Sequence, residues 1–280
     1  MQLANANSHL HIPPSSVAIK PEQVTHLAIG AHSDDLEIFA YHGIAECYDS
    51  NEKHFAGVTI TEGRGCSRNG TSAHYTNDEM AAVRAKEQKA AADLGRYAFV
   101  ALLGYQSSDA REKAASLIED LANLLEATQP EILYLHNPAD KHSTHIACLS
   151  CCVTALRRLP VEKRPKKIYG CEVWRDLDWM LDSHKIALPV DRHPELAAEL
   201  ISVFDSQIQG GKRYDLATLG RRRANATFFE PRSGDEAEAL TYAIDLSPLA
   251  KDDQTSLSDI VAPLLSAFTQ DVQAKLEADA

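Results

Sequence analysis

Between Leu27 and Leu159, four apolar runs alternate with stretches of helical periodicity. Leu27-Ala28-Ile29-Gly30 reads as a buried strand, and His54–Thr61, Tyr97–Leu103 and Glu131–Leu135 read as three more. A helical pattern with Ile38, Phe39 and Ile44 follows the first run. Asp78–Leu94, with an Asp start and Gly95 just past its end, precedes the third. Asp109–Ala127 carries Leu117, Leu121, Leu124 and Leu125 on one stripe and precedes the fourth. A further helix is expected from about Ser143 to Leu159. This alternation predicts an α/β domain, Rossmann-like, with a mostly parallel sheet and helices on both faces. Downstream, Lys167–Val173 and Ser183–Val190 read as strands, Pro194–Ile208 and Lys212–Ala224 as amphipathic helices, and Leu240–Leu246 as a short strand before a terminal helix. The expected organisation is an irregular arm over residues 1–22, with Pro13-Pro14 and Pro21, the α/β domain over 23–225, and a strand and helix extension over 226–280 packed on that domain.

Two of these strands end in dense polar clusters. The first runs into His32-Ser33-Asp34-Asp35 at the start of a helix, and the carboxyl ends of strands are where α/β sheets build sites. His32 and Asp35 are three residues apart, close enough to grip one ion, and imidazole and carboxylate are suitable Zn²⁺ ligands. Asp34 is left beside them as a candidate base. An ordinary helix N-cap explains one Asp, but not His32 with two adjacent carboxylates whose repulsion must be offset. The fourth strand repeats the arrangement with His136-Asn137-Pro138-Ala139-Asp140-Lys141-His142-Ser143-Thr144-His145. His142 and His145 can face the same way. Between the second strand and the next helix lies a long loop from Gly63 to about Asn77, and a loop of that length in a compact domain is usually functional or disordered. Its Arg64, Arg68 and Asn69 are candidates for contact with a polar substrate, against the plainer reading of a solvated loop.

Composition narrows the function classes. With 280 residues, 44% of them hydrophobic, the chain can bury a sizeable core. A formal net charge of -12 excludes the basic face that nucleic-acid binders need. The short run Arg221-Arg222-Arg223 reads either as a solvated helix face or as a clamp for an anionic substrate group. No apolar stretch suggests a membrane span, and the N-terminus lacks the features of a signal peptide. The six cysteines follow no disulfide framework, and Cys148, Cys151 and Cys152 in a helical pattern read as buried thiols. A reducing, cytoplasmic setting is therefore expected.

These clusters resemble known motifs. His32-Ser33-Asp34-Asp35-Leu36-Glu37 resembles the AHPDDxE signature of the PIG-L (LmbE-like) zinc-dependent N-acetylglucosaminyl deacetylases, and His136 through His145 resembles that family's HxPxDxHxDH. Thr61-Glu62-Gly63-Arg64-Gly65 resembles its glycine turn loosely, Arg84-Ala85-Lys86-Glu87 its RxxE helix, and Glu172-Val173-Trp174 its EVW. The match runs from about Leu27 to Ala224. The resemblance implies that His32, Asp35 and His145 bind Zn²⁺, with Fe²⁺ also suited to the same ligands. It implies that Asp34 is the general base and His142 the oxyanion-stabilising histidine. Arg68, Asn69 and Asp140 are the candidates for substrate contacts. Ser33 replaces the usual Pro at little cost. Thr144 replaces an Asp that in relatives orients and charges the neighbouring His, and Asp140 is a substitute partner for His142.

The expected reaction is removal of acetyl from an N-acetylated amino sugar or its conjugate, with Asp34 taking the proton of the attacking water. Another amide with a different acyl group or a non-sugar amine fits the same residues. A non-catalytic sugar- or nucleotide-binding module fits poorly, because Ala28-Ile29-Gly30-Ala31-His32 lacks a GxGxxG run. The expected partner is a small amino-sugar molecule, with no nucleic acid and no membrane. The sequence leaves oligomeric state open, a homo-oligomer included.

Overall fold

A computed structural model describes residues 3–278 of the chain. The first two residues of the arm and the last two of the C-terminal extension lie outside that range. The strands are β1 (His9–His11), β2 (His26–Gly30), β3 (Phe55–Thr61), β4 (Phe99–Tyr105), β5 (Ile132–His136), β6 (Lys167–Cys171), β7 (Ile186–Pro189) and β8 (Leu240–Asp245). Before β5 come the helices α1 (Asp35–Phe39), α2 (Tyr41–Tyr48), α3 (Asn77–Leu94), α4 (Ser107–Arg111) and α5 (Ala115–Thr128). After it come α6 (Ser143–Leu156), α7 (Pro194–Ser202), α8 (Asp205–Ile208), α9 (Tyr214–Phe228), α10 (Pro248–Lys251) and α11 (Leu257–Ala278).

The strands form one sheet in the order β1-β4-β3-β2-β5-β6-β8-β7. The pairs β2–β3, β3–β4, β2–β5 and β5–β6 are parallel. Antiparallel pairs flank them, β1–β4 at one edge and β6–β8 and β8–β7 at the other. All five residues of β2 are buried, which is why this strand reads as a continuous apolar run and not as an alternation. One hydrophobic core gathers Leu121 and Leu125 of α5 with Leu149 and Leu156 of α6 on one face of the sheet. A second core, with Leu36, Phe39, Ile44, Ala91 and Leu200, covers the other face with α1, α2, α3 and α7. The chain leaves β2 toward β3 and β4, and leaves β5 in the opposite direction toward β6. Where the order reverses, the carboxyl ends of β2 and β5 border a crevice.

Several elements differ from the sequence expectation. The arm is not wholly irregular: β1 pairs with β4, with His9 opposite Leu102 and His11 opposite Val100. The helix expected over Asp109–Ala127 is split into α4 and α5. Lys113 takes a left-handed φ of 52° and Ala114 N bonds back to the Asp109 carbonyl at 2.9 Å, a helix-terminating pattern. The helix after β2 is likewise broken at Ala40. Pro194–Ile208 resolves into α7 and α8, with Phe204 leaving the helical conformation between them. Among the described residues, no helix is long and apolar enough to cross a membrane.

Candidate active site

The turn after β2 is built by close approach. A Cβ added at Gly30 would stand 2.9 Å from Asp35 Cβ and 3.1 Å from Leu36 Cδ2, so glycine lets α1 fold directly onto the strand end. The Asp35 carboxylate folds back to accept the His32 backbone N–H at 2.7 Å. Asp34, between them, sits at a left-handed φ of 87°. A non-glycine residue there costs about 1–3 kcal/mol and persists only where its surroundings hold it. Gln88 of α3 supplies the hold: its Oε1 accepts the Asp34 N–H at 3.2 Å, and its Nε2 donates to buried Glu37 at 2.8 Å. Tyr97 donates to the same Glu37 oxygen at 2.6 Å. Arg84 adds a guanidinium 3.6 Å from the Asp34 carboxylate and a hydrogen bond to the Ser33 carbonyl. Gly63, at a φ of 70°, passes so near that a Cβ would meet Arg84 Nε at 2.7 Å.

The turn after β5 meets this one across the crevice. His32 Nδ1 lies 3.2 Å from His145 Nε2 and 3.4 Å from an Asp35 oxygen, and His145 Nε2 lies 3.5 Å from the other Asp35 oxygen. Donors at 2.0–2.2 Å from a tetrahedral ion stand roughly 3.3–3.6 Å apart, so these three side chains, Asp35 offering either oxygen, have the spacing to hold one Zn²⁺ with a position left open. Behind the ligand set, Asp140 Oδ2 faces His145 Nδ1 at 3.4 Å, both side chains wholly buried. That is the carboxylate–histidine arrangement that orients a metal-ligating ring. Two other donor groups overlap this set: His32 with His142 and His145, and the fully buried Asp35 with His136 and His145. His136 Nε2 is already occupied by the Ala31 N–H at 2.9 Å, and its ring stacks on His145 at 3.9 Å between centroids. His136 therefore forms the floor of the site.

Electrostatics separates the two aspartates. Burial pushes the Asp34 carboxyl up to about 7; Arg84 pulls the other way, and Asp35 and Glu37 push it higher. Burial opposes charge on Asp35 too, yet His145, His136 and His32 hold it well below the usual carboxylate range. Asp140 is also held low against the cost of burial, chiefly by its contact with His145. Burial pushes His136 down to about 4, so it is neutral. His142 is lowered by burial and by the neighbouring His145 and His32. Its Nδ1 accepts the Thr144 N–H at 3.3 Å, which places the proton of the neutral ring on Nε2.

The cleft above the donors has a volume of about 470 Å³ and is bordered by His32, Asp34, Asp35 and His142. Of the residues expected to contact substrate, Arg64 borders it, and Arg68, Asn69 and Asp140 do not. Arg68 is turned to the Arg64 carbonyl and the Asn77 side chain, and Asn69 donates to the Gly210 carbonyl at 2.9 Å. Asp140 accepts from the backbone N–H groups of His142 and Trp174 and faces His145, not the His142 ring. The rest of the cleft wall comes from residues not singled out for substrate contact, among them Ser107, Arg111, Trp174, Lys212 and Tyr214. Gln88 went unnoticed in the sequence, although a signal existed: it shares the inward stripe of α3 with Met80, Arg84 and Ala91, and a polar residue on such a stripe needs a buried partner.

The family model described as PIG-L, GlcNAc-PI de-N-acetylase, matches residues 27–156. Among curated proteins, none matches the chain. Solved structures share the fold. GalB, the 4-carboxy-2-hydroxymuconate hydratase of Pseudomonas putida, superposes with a TM-score of 0.59 at 17% identity, over 80% of this chain and 96% of that one. The N,N'-diacetylchitobiose deacetylase of Pyrococcus horikoshii gives 0.58 at 18% identity, over 78% and 82%. The A40926 pseudoaglycone deacetylase Dbv21 gives 0.58 at 15% identity, over 80% and 97%.

Proposed function

We propose that this chain, whose residues 27–156 match the PIG-L family model, is a metal-dependent hydrolase. Its proposed substrate is an N-acetylated amino sugar, or a conjugate of one, of the N-acetylglucosamine type. The observation that carries this reading is the convergence of His32 Nδ1, the Asp35 carboxylate and His145 Nε2 beside Asp34 at the floor of an open cleft. The order of the central strands supports a Rossmann-like scaffold for it.

His32, Asp35 and His145 would hold Zn²⁺, or Fe²⁺ on the same ligands. A bound Zn²⁺ supplies Lewis acidity, polarising an acyl oxygen and lowering the pKa of water to about 7. Asp34 accepts the proton of the water that attacks the acetyl carbon. A carboxylate poised near 7 suits that task at neutral pH, and a cation beside it moves the value down and keeps the base ionised. Arg84 and Gln88 fix the carboxylate and its backbone. His142, with its proton on Nε2, donates to the acyl oxygen as negative charge develops there. Asp34 then returns the proton to the departing nitrogen. One amide and one water give acetate and a free amine.

The test is acetate release from a panel of free, 6-phosphorylated, nucleotide-linked and oligomeric N-acetylglucosamine compounds, before and after chelation and with Zn²⁺ restored. Metal-dependent release from any of them is expected. A metal-loaded protein that releases none, but hydrates an unsaturated acid, would replace this reading with the chemistry of the hydratase that shares the fold.

A further inference from the structure

A second cavity, of about 260 Å³, adjoins the cleft. Ile38, Val173, Trp174, Lys212 and Tyr214 line both spaces. The wall of the second cavity away from the metal donors is α9. Four cations border it, Lys212, Arg213, Arg221 and Arg222, against one carboxylate, Glu172. Several of these groups have their own partners. Arg213 is paired with Asp215 at 2.7 Å, and Arg221 donates to the Val173 carbonyl. Glu172 Oε1 accepts from Asn225 and from Tyr242 N, and its Oε2 accepts from Leu177 N at 3.0 Å.

Arg222 differs from the rest. It is 3% exposed. Its Nη2 donates to the Glu37 and Ile38 carbonyls at 2.8 and 3.0 Å, and its guanidinium lies 4.8 Å over the Tyr41 ring. These contacts employ one nitrogen. Nε and Nη1 have no partner among the described residues. Buried cations are ordinarily paired, because an uncompensated charge away from water is costly. The periodicity of α9 explains the placement: Thr218, Arg222, Asn225 and Ala226 form its inward stripe, while Arg223 points out and pairs with Glu238. In a chain of net charge -12, a pocket walled by arginines is a local exception that draws anions in.

We propose that this cavity is an anion subsite, in which Arg222 and Arg221 receive a phosphate or carboxylate group carried by the substrate while its amide lies over the metal donors. The proposal names the substrate class as an anionic conjugate and not a neutral sugar. Calling the anion part of a substrate rests on the hydrolase reading; the subsite itself does not. A guanidinium matches both anions through paired N–H donors. Lys212, 5.0 Å over the Trp174 ring at the junction of the two spaces, adds a mobile charge at the entrance.

The experiment titrates the metal-loaded protein with inorganic phosphate and with succinate at constant ionic strength, reading tryptophan fluorescence. Saturable binding is expected, and the tighter probe identifies the anion. Arg222→Met and Arg221→Met should each weaken it about 10- to 100-fold, the scale of a lost charge-assisted hydrogen bond. Asp35→Asn, which lacks a metal ligand, should keep the affinity; loss there would put the anion on the metal and overturn the subsite. If Arg222→Met does not fold, Arg221→Met and the exposed Lys212→Met carry the test. Absence of saturation, or equal affinity in wild type and the arginine variants, also overturns it. The acetate assay separates the two readings. Saturable anion binding with no acetate from any sugar defeats the hydrolase and leaves the subsite. Equal kcat/KM for N-acetylglucosamine and its 6-phosphate, without anion binding, defeats the subsite and leaves the hydrolase.

Discussion

Gly30→Ala tests the link between the strand end and the metal donors. The added methyl would stand 2.9 Å from Asp35 Cβ, 3.1 Å from Leu36 Cδ2 and 3.6 Å from Phe39 Cε1. Asp35 Cβ is fixed to the helix backbone and cannot turn away as a side-chain end can, so α1 must shift. Overpacking of this kind costs about 1–3 kcal/mol. Against it, replacing a strand glycine recovers about 0.5–1 kcal/mol of backbone entropy. The net loss lies between about 0 and 2.5 kcal/mol, and its midpoint near 1.2 kcal/mol corresponds to roughly 3–5 °C in Tm for a chain of this size. The displaced Asp35 should also weaken Zn²⁺ binding about 10- to 100-fold, the usual effect of disturbing a ligand's support. A tenfold weaker Kd removes about 1.4 kcal/mol of metal-conferred stability at fixed excess Zn²⁺. Thermal melts with chelator and with Zn²⁺ separate the two effects: the baseline Tm falls, and the increment from Zn²⁺ shrinks by a further 3–6 °C or so. A variant as stable as wild type, with an undiminished increment, would refute the argument that contact between β2 and α1 places the donor.

Asp34→Asn should lower kcat at least about 10²-fold, as expected for loss of a general base, while Zn²⁺ bound per chain stays at the wild-type value; metal analysis beside initial rates checks both. In the wild type, kcat/KM should rise with pH on an acid limb at or below about 7, because the protonated Asp34 cannot accept a proton. Asp140→Asn should leave the cleft open yet weaken Zn²⁺ about 10- to 100-fold, measured by competition with a chelator, since His145 loses the carboxylate that orients it. Glu37 is pushed up to about 7 by burial, so the folded protein keeps a proton that the unfolded chain releases near its ordinary value of 4.5. Stability from this group is therefore lost as pH rises from about 4.5 to about 7. Glu37→Gln should flatten the fall of Tm across that window in metal-free protein, and parallel curves would remove Glu37 as the cause.

The parallel sheet was legible in the sequence because buried central strands leave uninterrupted apolar runs that stand out between helical patterns. The two polar turns were legible because each packs its histidines and carboxylates into a few consecutive residues. What could not be read is whatever a distant partner decides. Asp140 looked available to His142 or to substrate, but its partner is the far side of the His145 ring, a choice made by how α6 docks. Arg68 and Asn69 looked like free polar groups in a loop, and the segment after α8 takes Asn69. The split of α4 from α5 depends on one left-handed residue, Lys113, a type that carries no turn signal. The arginine run left two readings open, and the structure divides it residue by residue: Arg223 is solvated, Arg222 is buried.

The N-terminal arm has a bearing on how this protein can be handled. Strand β4 reads Phe-Val-Ala-Leu-Leu-Gly-Tyr and would form the outer edge of the sheet if β1 were absent. Three residues, His9–His11, supply the missing ladder, and Asn5 and Ser8 bind the Leu103 carbonyl on the same side. An apolar edge with unpaired backbone groups invites pairing between molecules. A chain cut back to residues 27–156 would lose this seal on one side and strands β6 to β8 on the other. Such a fragment would expose a strand edge on each side, and in the whole chain the short arm covers one of them.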